Sequence, residues 1–371
     1  MNITEHPIFE GCYEKICQIT NDRLLKECRE TDDIKKKKAK ERYHEELSAI
    51  KKTGLAPFFF LNYMVVNYAN SMNTFVSVAG QVSYSYIAYL LGITEIDPLE
   101  RNYPAKMAFS HNMNLPPLTD IKVPTGFVKK IMNYLGKLFG EEFVRRDNCF
   151  IIVGDPDENR LTWIYLVVNR DYLVTLADRI LTTKYGDCDS GTFLEERGRI
   201  LSGYYALDAD GLKSVTWEAL HSVITSMIVT INKADNIILF DPDGFCRLLD
   251  DTNVEKAMWL FALINGVGVF KSIYEYHNEG VITRDDVYSY LVKAIGDDDG
   301  EAYKLMEDIR KGKGNTDAVQ DTLEAYGIDD KFRELIKPIE FMSLEATCYI
   351  ESYVVFFIAA NSYDTGDSTR V

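Results

Sequence analysis

The first part of the chain alternates helical apolar patterns with a short strand-like run. Apolar residues recur every three or four positions over 35–53 and Gly54 follows, so the pattern predicts a helix that ends there. Residues 57–69 are apolar on nearly every side, which is typical of a buried helix. The strand-like run 75–76 leads through a loop of small residues into a short helix at 86–91. This mixture predicts a domain that contains both helices and strands.

One further amphipathic helix and two strands are predicted next. The helix covers 126–139, with Thr125 as its N-cap and Gly140 at its end. The runs NCFIIVG and LTWIYLVV are rich in β-branched and aromatic residues, and a turn sequence separates them, so we expect two strands. A helix near 171–183 follows them.

The last third of the chain is almost wholly helical in pattern. Before this helical part, the sequence predicts a strand that ends at Asp208 and an apolar helix at 215–231. Within the helical part, Thr283 is the expected N-cap of a helix. We therefore predict an α+β fold. Its expected divisions are an N-terminal helical segment, an α/β domain, a helical domain and a flexible tail, at residues 1–52, 53–240, 241–362 and 363–371.

Composition and charge indicate which partners and which cellular location to expect. The 371 residues are 46% apolar and carry a net charge of −16, which opposes a general affinity for nucleic acid or anionic membranes but permits a local basic groove. Seven cysteines without a Cys-x-x-Cys pair are typical of reduced thiols in the cytoplasm. The polar N-terminus does not resemble a signal peptide, and the longest apolar stretch, Leu55–Ala69, is shorter than a membrane span. We therefore expect a cytoplasmic protein without a membrane partner.

The sequence VSVAGQVSYSY, at residues 76–86, suggests a more specific site. A loop of small residues between a strand and the first turn of a helix can hold a phosphate on its backbone N–H groups. Gly80 permits close approach to the backbone, and Ser85 precedes the predicted helix. Gly80 and Ser85 are therefore candidate nucleotide-binding residues.

Five segments of the chain, in the same order, resemble the polymerase core of the PolC-type α subunit of bacterial DNA polymerase III. They cover residues 40–69, 76–99, 133–146, 284–314 and 332–360. The second segment contains the loop at 76–86, which is similar to the nucleotide loop of that family, and the fourth contains the motif IRKGKG, similar to its fingers. The resemblance implies a polymerase-β-like nucleotidyltransferase palm followed by an α-helical fingers-like domain.

The family holds two Mg²⁺ ions on three carboxylates, and the resemblance assigns two of them in this chain. Asp120, in PLTD, matches the second aspartate of the catalytic pair, and Asp208, in ALDADG, matches the third carboxylate. Leu118 stands where the first aspartate is expected, and leucine offers no oxygen to a hard cation. Asp120 and Asp208 are thus candidates for a vestigial catalytic and metal site, although each also fits an ordinary surface acid.

The residues that would contact a triphosphate are changed as well. Ala79 takes the place of an arginine in the nucleotide loop, and Glu345 and Thr347 replace a lysine and a histidine on the fingers helix. A lysine-to-glutamate exchange beside a phosphate turns attraction into repulsion. Three basic residues of IRKGKG match the family and are candidate nucleotide contacts, although the dipole of a helix C-terminus also explains them: Arg310, Lys311 and Lys313.

Three functions fit these observations. The first is a catalytically degenerate homologue of the polymerase α subunit, a pseudoenzyme without a cofactor that binds a protein such as another replication component. The second is a minimal active DNA polymerase or nucleotidyltransferase that uses Asp120 and Asp208 with Mg²⁺. The third is a non-catalytic nucleic-acid-binding protein. Its candidate basic groups are Lys35–Lys40, Lys129, Lys130 and Lys311–Lys313. We expect the first function.

Overall fold

The computed structural model of the chain contains two compact units, Met1–Arg199 and Ile200–Val371. It describes residues 3–29, 31–109, 116–154, 163–185, 189, 191–192, 194–195, 254–269, 281–296 and 299–362. The strand predicted to end at Asp208 and the helix predicted at 215–231 lie outside these ranges.

The described part of the first unit combines α-helices with one five-stranded sheet. Its helices are α1 (Cys12–Glu27), α2 (Asp33–Thr53), α3 (Ala56–Ser71), α4 (Tyr86–Leu91), α5 (Ala105–Phe109), α6 (Phe127–Phe139) and α7 (Tyr172–Tyr185). Its strands are β1 (Ser77–Ala79), β2 (Asp120–Val123), β3 (Val144–Asp147), β4 (Phe150–Gly154) and β5 (Trp163–Arg170). α1 packs against α3 and α4, and α2 packs against α4, so the N-terminal helices share a unit with the sheet.

The sheet is mixed and has the strand order β1-β2-β5-β4-β3. β2 pairs with β5 in parallel, and the other pairs are antiparallel. Ala79 of β1 lies opposite Asp120 of β2, and Asp120 lies opposite Val167 of β5. The end of β1 and the start of β2 are therefore neighbours, which brings the loop after β1 beside the candidate aspartate.

Alternation along β2 decides which of its side chains enter the core. Ile121 and Val123 are fully buried, whereas Asp120 and Lys122 are half-buried on the opposite face, because successive side chains of a strand point to opposite faces. α6 packs on the sheet and buries the apolar stripe that the sequence predicts, including Ile131. The polar face of β2 is therefore partly exposed, whereas its apolar face is packed in the core.

The described part of the second unit is helical, as the sequence predicts. Its helices are α8 (Val254–Asn265), α9 (Arg284–Ile295), α10 (Asp299–Asp308), α11 (Asp317–Ala325), α12 (Asp330–Ile336) and α13 (Glu345–Ser362). Thr283 is confirmed as an N-cap, because it exchanges hydrogen bonds with Asp286 at the start of α9. After α10 the chain passes through a wide π turn, Ile309–Lys313, in which Gly312 has a φ of 79°.

Three local predictions differ from the structure. The strand expected at 75–76 lies at Ser77–Ala79 instead. Thr125 does not cap α6: its hydroxyl lies 3.3 Å from that of Thr175, and Gly126 occupies the N-cap position. β3 is absent from the sequence predictions because its residues, VRRD, are mostly polar and lack the apolar alternation of a strand.

The described helices include none that is long and apolar enough to cross a bilayer. The cysteines in the described ranges are free thiols: Cys12, Cys17, Cys28, Cys149 and Cys348. This agrees with the reduced state expected from their spacing. The cytoplasmic location stays a prediction.

Candidate nucleotide and metal site

The loop after β1 is closed against the protein's own backbone. Gly80 has a φ of 97°, and a Cβ atom there would lie 2.5 Å from the carbonyl oxygen of Leu118. The N–H of Val82 donates to that oxygen at 3.1 Å, and the N–H of Leu118 donates to Oε1 of Gln81 at 3.2 Å. Gly80 is therefore needed for the approach of two segments of this chain.

A carboxylate occupies the start of α4. Oε1 of Glu46 accepts a hydrogen bond from the N–H of Tyr86 at 2.9 Å, and Oε2 accepts one from the N–H of Ile87 at 3.0 Å. The hydroxyl of Ser85 donates to Oε2 at 2.6 Å and accepts from the N–H of Ala88 at 3.1 Å. The backbone donors that would hold a phosphate are thus hydrogen-bonded to a side chain of α2.

Arg42 completes this buried network. Its Nε donates to Oε1 of Glu46 at 2.5 Å, and its two terminal nitrogens donate at 2.8 Å to the carbonyl oxygens of Tyr84 and Tyr103. Glu46 is fully buried and Arg42 is nearly so. The sequence predictions miss both residues. One signal could have found them: they are spaced four residues apart and lie beside the apolar stripe of α2.

Asp120 lies at the start of β2, opposite Ala79 at the end of β1, and its role as a metal ligand stays a prediction. Its Oδ1 accepts a hydrogen bond from Nδ2 of Asn169 at 2.6 Å. Leu118, two residues before it, is 45% exposed, and Lys122, two residues after it, lies 3.7 Å from a carboxylate oxygen of Asp171. The residues two positions before and after Asp120 are therefore a leucine and a lysine, and its side-chain partner Asn169 lies on β5.

The described ranges contain one of the two candidate metal ligands, Asp120. Magnesium is held by oxygen ligands, and neither Leu118 nor Lys122 has a side-chain oxygen. No group of three or more His, Cys, Asp or Glu side chains that could hold a metal occurs within the described ranges. Asp208, the other candidate ligand, lies outside them. Asp120 is thus the candidate metal ligand that the structure places beside the loop.

The basic residues of IRKGKG are paired with acids of the preceding helical turn. Nε of Arg310 lies 2.8 Å from Oε1 of Glu307, and Nζ of Lys311 lies 3.1 Å from Oε2 of the same residue. Lys313 pairs with Asp308 at 2.8 Å. Burial would raise the pKa of Glu307, but the hydrogen bond from Arg310 and the nearby positive charges hold that pKa below its ordinary value. These pairs explain the basic residues within the helix itself, and their contact with a nucleotide stays a prediction.

Glu345 begins α13, and Thr347 lies in its first turn. The N–H of Glu345 donates to Oδ2 of Asp285 at 2.9 Å. An acidic residue in the first turn of a helix is stabilised by the helix dipole. Glu345 therefore suits this helix start, whatever its role toward a nucleotide.

Comparison with known proteins supports the predicted resemblance. Residues 12–155 match the family described as the bacterial DNA polymerase III alpha NTPase domain. This segment is related to bacterial DNA polymerase III α. It runs from α1 to the end of β4 and includes the loop after β1, Glu46 and Asp120. The resemblance seen in the sequence is confirmed here, whereas its fingers-like segments at 284–314 and 332–360 lie beyond the matched residues.

The similar proteins include a DNA polymerase III subunit alpha and error-prone DNA polymerases. The chain is 31% identical over 142 residues to the DNA polymerase III subunit alpha of Mycoplasma genitalium, which covers 38% of this chain and 15% of that protein. It is 24% identical over 112 residues to the error-prone DNA polymerase of Corynebacterium diphtheriae, covering 30% and 11%. It is 30% identical over 103 residues to that of Ralstonia nicotianae, covering 28% and 10%. The chain thus spans a small part of the length of these DNA polymerases.

Proposed function

We propose that the chain is a non-catalytic relative of DNA polymerase III α, with a palm-like first unit and a fingers-like second unit, that works by binding another macromolecule. The face of β2 carries this proposal. Asp120 stands there between Leu118 and Lys122. Leucine supplies no ligand atom, and Lys122, whose ammonium group pairs with Asp171, supplies none either. Two-metal nucleotidyl transfer would have to draw its other carboxylates from outside this strand.

The closed loop supports the same proposal. A triphosphate at the start of α4 would have to displace the carboxylate of Glu46 from the N–H groups of Tyr86 and Ile87. Displacement would remove two backbone donors from a fully buried carboxylate, and if it also separated Glu46 from Arg42 it would break a buried ion pair, at a cost of about 3 kcal/mol. The loop therefore serves to join α2 and α4.

Primer extension tests the absence of catalysis. The full chain is incubated with a template–primer duplex and deoxynucleotides in the presence of Mg²⁺ or Mn²⁺. We expect no incorporation above the level of a reaction without protein. Incorporation that disappears in both Asp120→Asn and Asp208→Ala would contradict the proposal and would support the second function, a minimal active polymerase. Lys122→Gln serves as a control that changes the same face without removing a carboxylate.

The expectation of a protein partner, such as a replication component, comes from the family resemblance. The net charge of −16, which opposes polyanions at long range, points the same way. The exposed side of α6 has the opposite local charge and favours a nucleic acid.

A further inference from the structure

Helix α6 presents a basic row to solvent. Lys130, Tyr134 and Lys137 are spaced four and three residues apart, so they lie above one another on one face of the helix. Lys130 and Lys137 are exposed, Tyr134 is half-buried, and Lys129 is exposed beside them. The helix contains no aspartate or glutamate. The α6 surface is defined here as Lys129, Lys130, Lys137 and the two stacked tyrosines Tyr134 and Tyr68.

Acids lie near this surface, since Glu141 and Glu142 follow α6 and Asp178 is near Lys130, but the lysines form no ion pairs with them. None of its three lysines takes part in an ion pair with another described residue. Nζ of Lys130 lies 5.5 Å from the ring centre of Phe127. Asp178 interacts electrostatically with Lys130, but its Oδ1 accepts a hydrogen bond from the N–H of Phe75 at 2.7 Å. The three ammonium groups are thus available to an external anion.

Tyr134, which lies between Lys130 and Lys137 on α6, belongs to an aromatic stack. The ring of Tyr134 lies parallel to that of Tyr68 on α3, with ring centres 4.2 Å apart and an angle of 4° between the planes. Tyr68 also stacks on Phe127, at 6.0 Å. Both tyrosines are half-buried, so part of the stack is open to solvent. Cations beside accessible aromatic rings are the combination that holds single-stranded nucleic acid, with phosphates on the cations and bases against the rings.

We propose that the α6 surface binds single-stranded nucleic acid. Lys130 and Lys137 are about 10 Å apart along the helix axis, a span that can contact more than one phosphate of an extended strand. The net charge of the chain does not prevent this, because charges farther away than about 8–10 Å are screened at physiological salt. An acidic protein segment would match the lysines but has no bases to contact the tyrosines. The inference does not depend on whether the chain is catalytic.

Helix α2 offers a matched comparison. It carries more lysines than α6, but several of them are paired with acids: Lys35 with Glu100 at 3.0 Å, Lys36 with Asp33 at 3.4 Å and Lys37 with Glu41 at 3.9 Å. A shallow cavity of about 390 Å³ on this helix is lined by both signs of charge. Lys38 and Lys40 are exposed like Lys130 and Lys137. Replacing Lys38 and Lys40 therefore changes the net charge of the chain as much as replacing Lys130 and Lys137 does, but leaves α6 unaltered.

Binding is measured by fluorescence anisotropy, with the full chain and a labelled oligothymidine of about 20 nucleotides, longer than the site of one small binding fold. We expect binding at low salt that weakens as salt is added. The double variant Lys130→Gln with Lys137→Gln should bind about 10-fold more weakly and reduce the slope of log K against log salt by about 1.4, the value for two phosphate contacts on a single strand. Lys38→Gln with Lys40→Gln should change the affinity less than about 2-fold.

The tyrosine stack is tested separately. Tyr134→Leu should weaken binding about 5-fold or more, and Tyr134→Phe should retain it, because the ring is kept. Melting temperatures identify any variant that fails to fold, and Tyr134→Phe keeps the test valid if Tyr134→Leu unfolds. The proposal is overturned by absence of binding at low salt, by equal losses in the α6 and α2 variants, by tighter binding of duplex DNA, or by equal competition from polyglutamate.

Discussion

Ser85 donates its hydroxyl hydrogen to Glu46 at 2.6 Å, which joins two residues 39 positions apart in the sequence. The same carboxylate accepts two backbone hydrogen bonds from the start of α4 and the Nε hydrogen bond of Arg42. A buried charge is tolerated only when it is paired and hydrogen-bonded, and here every requirement is met within one network. This network holds the start of α4, which follows the loop after β1, against α2.

Glu46→Gln should destabilise the first unit markedly. The amide cannot balance the charge of Arg42, which is buried, and breaking such a pair costs about 3 kcal/mol. The measurement is hydrogen exchange of peptides that cover α4, read as the local free energy of opening. Glu45→Gln is the control, because Glu45 is exposed on the same helix. Equal exchange in the two variants would mean that the network contributes little.

Much of the local architecture is predictable from the sequence, because its causes are local. The short helix at 86–91 and its end at Gly92 follow from a run of apolar residues and a glycine that adopts a φ of 73°. The link between Glu46 and Ser85 is not predictable in this way. A glutamate on a lysine-rich helix indicates a solvated face, and only the packing of α2 on α4 shows that this one is buried.

The candidate site likewise combines features that the sequence predicts with features that depend on tertiary structure. The resemblance singles out Asp120, and the structure shows that this residue starts β2 beside the loop after β1. The partner of Asp120 is Asn169, which β5 supplies from a distant part of the sequence through parallel pairing. Pairing of this kind depends on tertiary structure, so no spacing rule reveals it.

Gly80→Ala should destabilise the loop more than an ordinary glycine replacement. The new Cβ would meet the carbonyl oxygen of Leu118 at 2.5 Å, in addition to the cost of a φ of 97°. We expect a loss of more than about 2 kcal/mol in hydrogen exchange of the peptide around the loop. Gly54→Ala is the matched control: its φ is 69°, with nothing within 4 Å of a new Cβ, so about 1 kcal/mol is expected. Equal losses would show that the contact with Leu118 can relax.

Cys348 should resist alkylation in the folded protein. It is fully buried, and burial, with the nearby charges of Glu351 and Asp285, raises the pKa of its thiol well above the ordinary value, so little reactive thiolate forms. Treatment with iodoacetamide followed by mass spectrometry should show modification of half-buried Cys17 and Cys28 before Cys348. Denaturation should abolish the difference. Early modification of Cys348 in the native protein would indicate that α13 opens readily.

Asp97 should make the first unit less stable as pH rises. Burial, with smaller contributions from Glu27 and Glu100, raises the pKa of its carboxyl from 3.8 to about 6, although the N–H of Leu99 donates to it at 2.8 Å. The folded state therefore holds a proton that the unfolded chain has lost between these values. Stability falls across this interval and levels off above pH 6, by at most about 3 kcal/mol in total.

Asp97→Asn tests this directly, because the amide oxygen can still accept from Leu99 and carries no charge to bury. The variant should melt at a higher temperature than the natural chain at pH 8. Its advantage should shrink by about 1 kcal/mol at pH 5, where most of the Asp97 population is protonated in the folded state. Asp22→Asn, which removes an exposed acid on α1, should show no such pH dependence. A constant advantage at both pH values would mean that packing, and not the charge of Asp97, limits the stability of this loop.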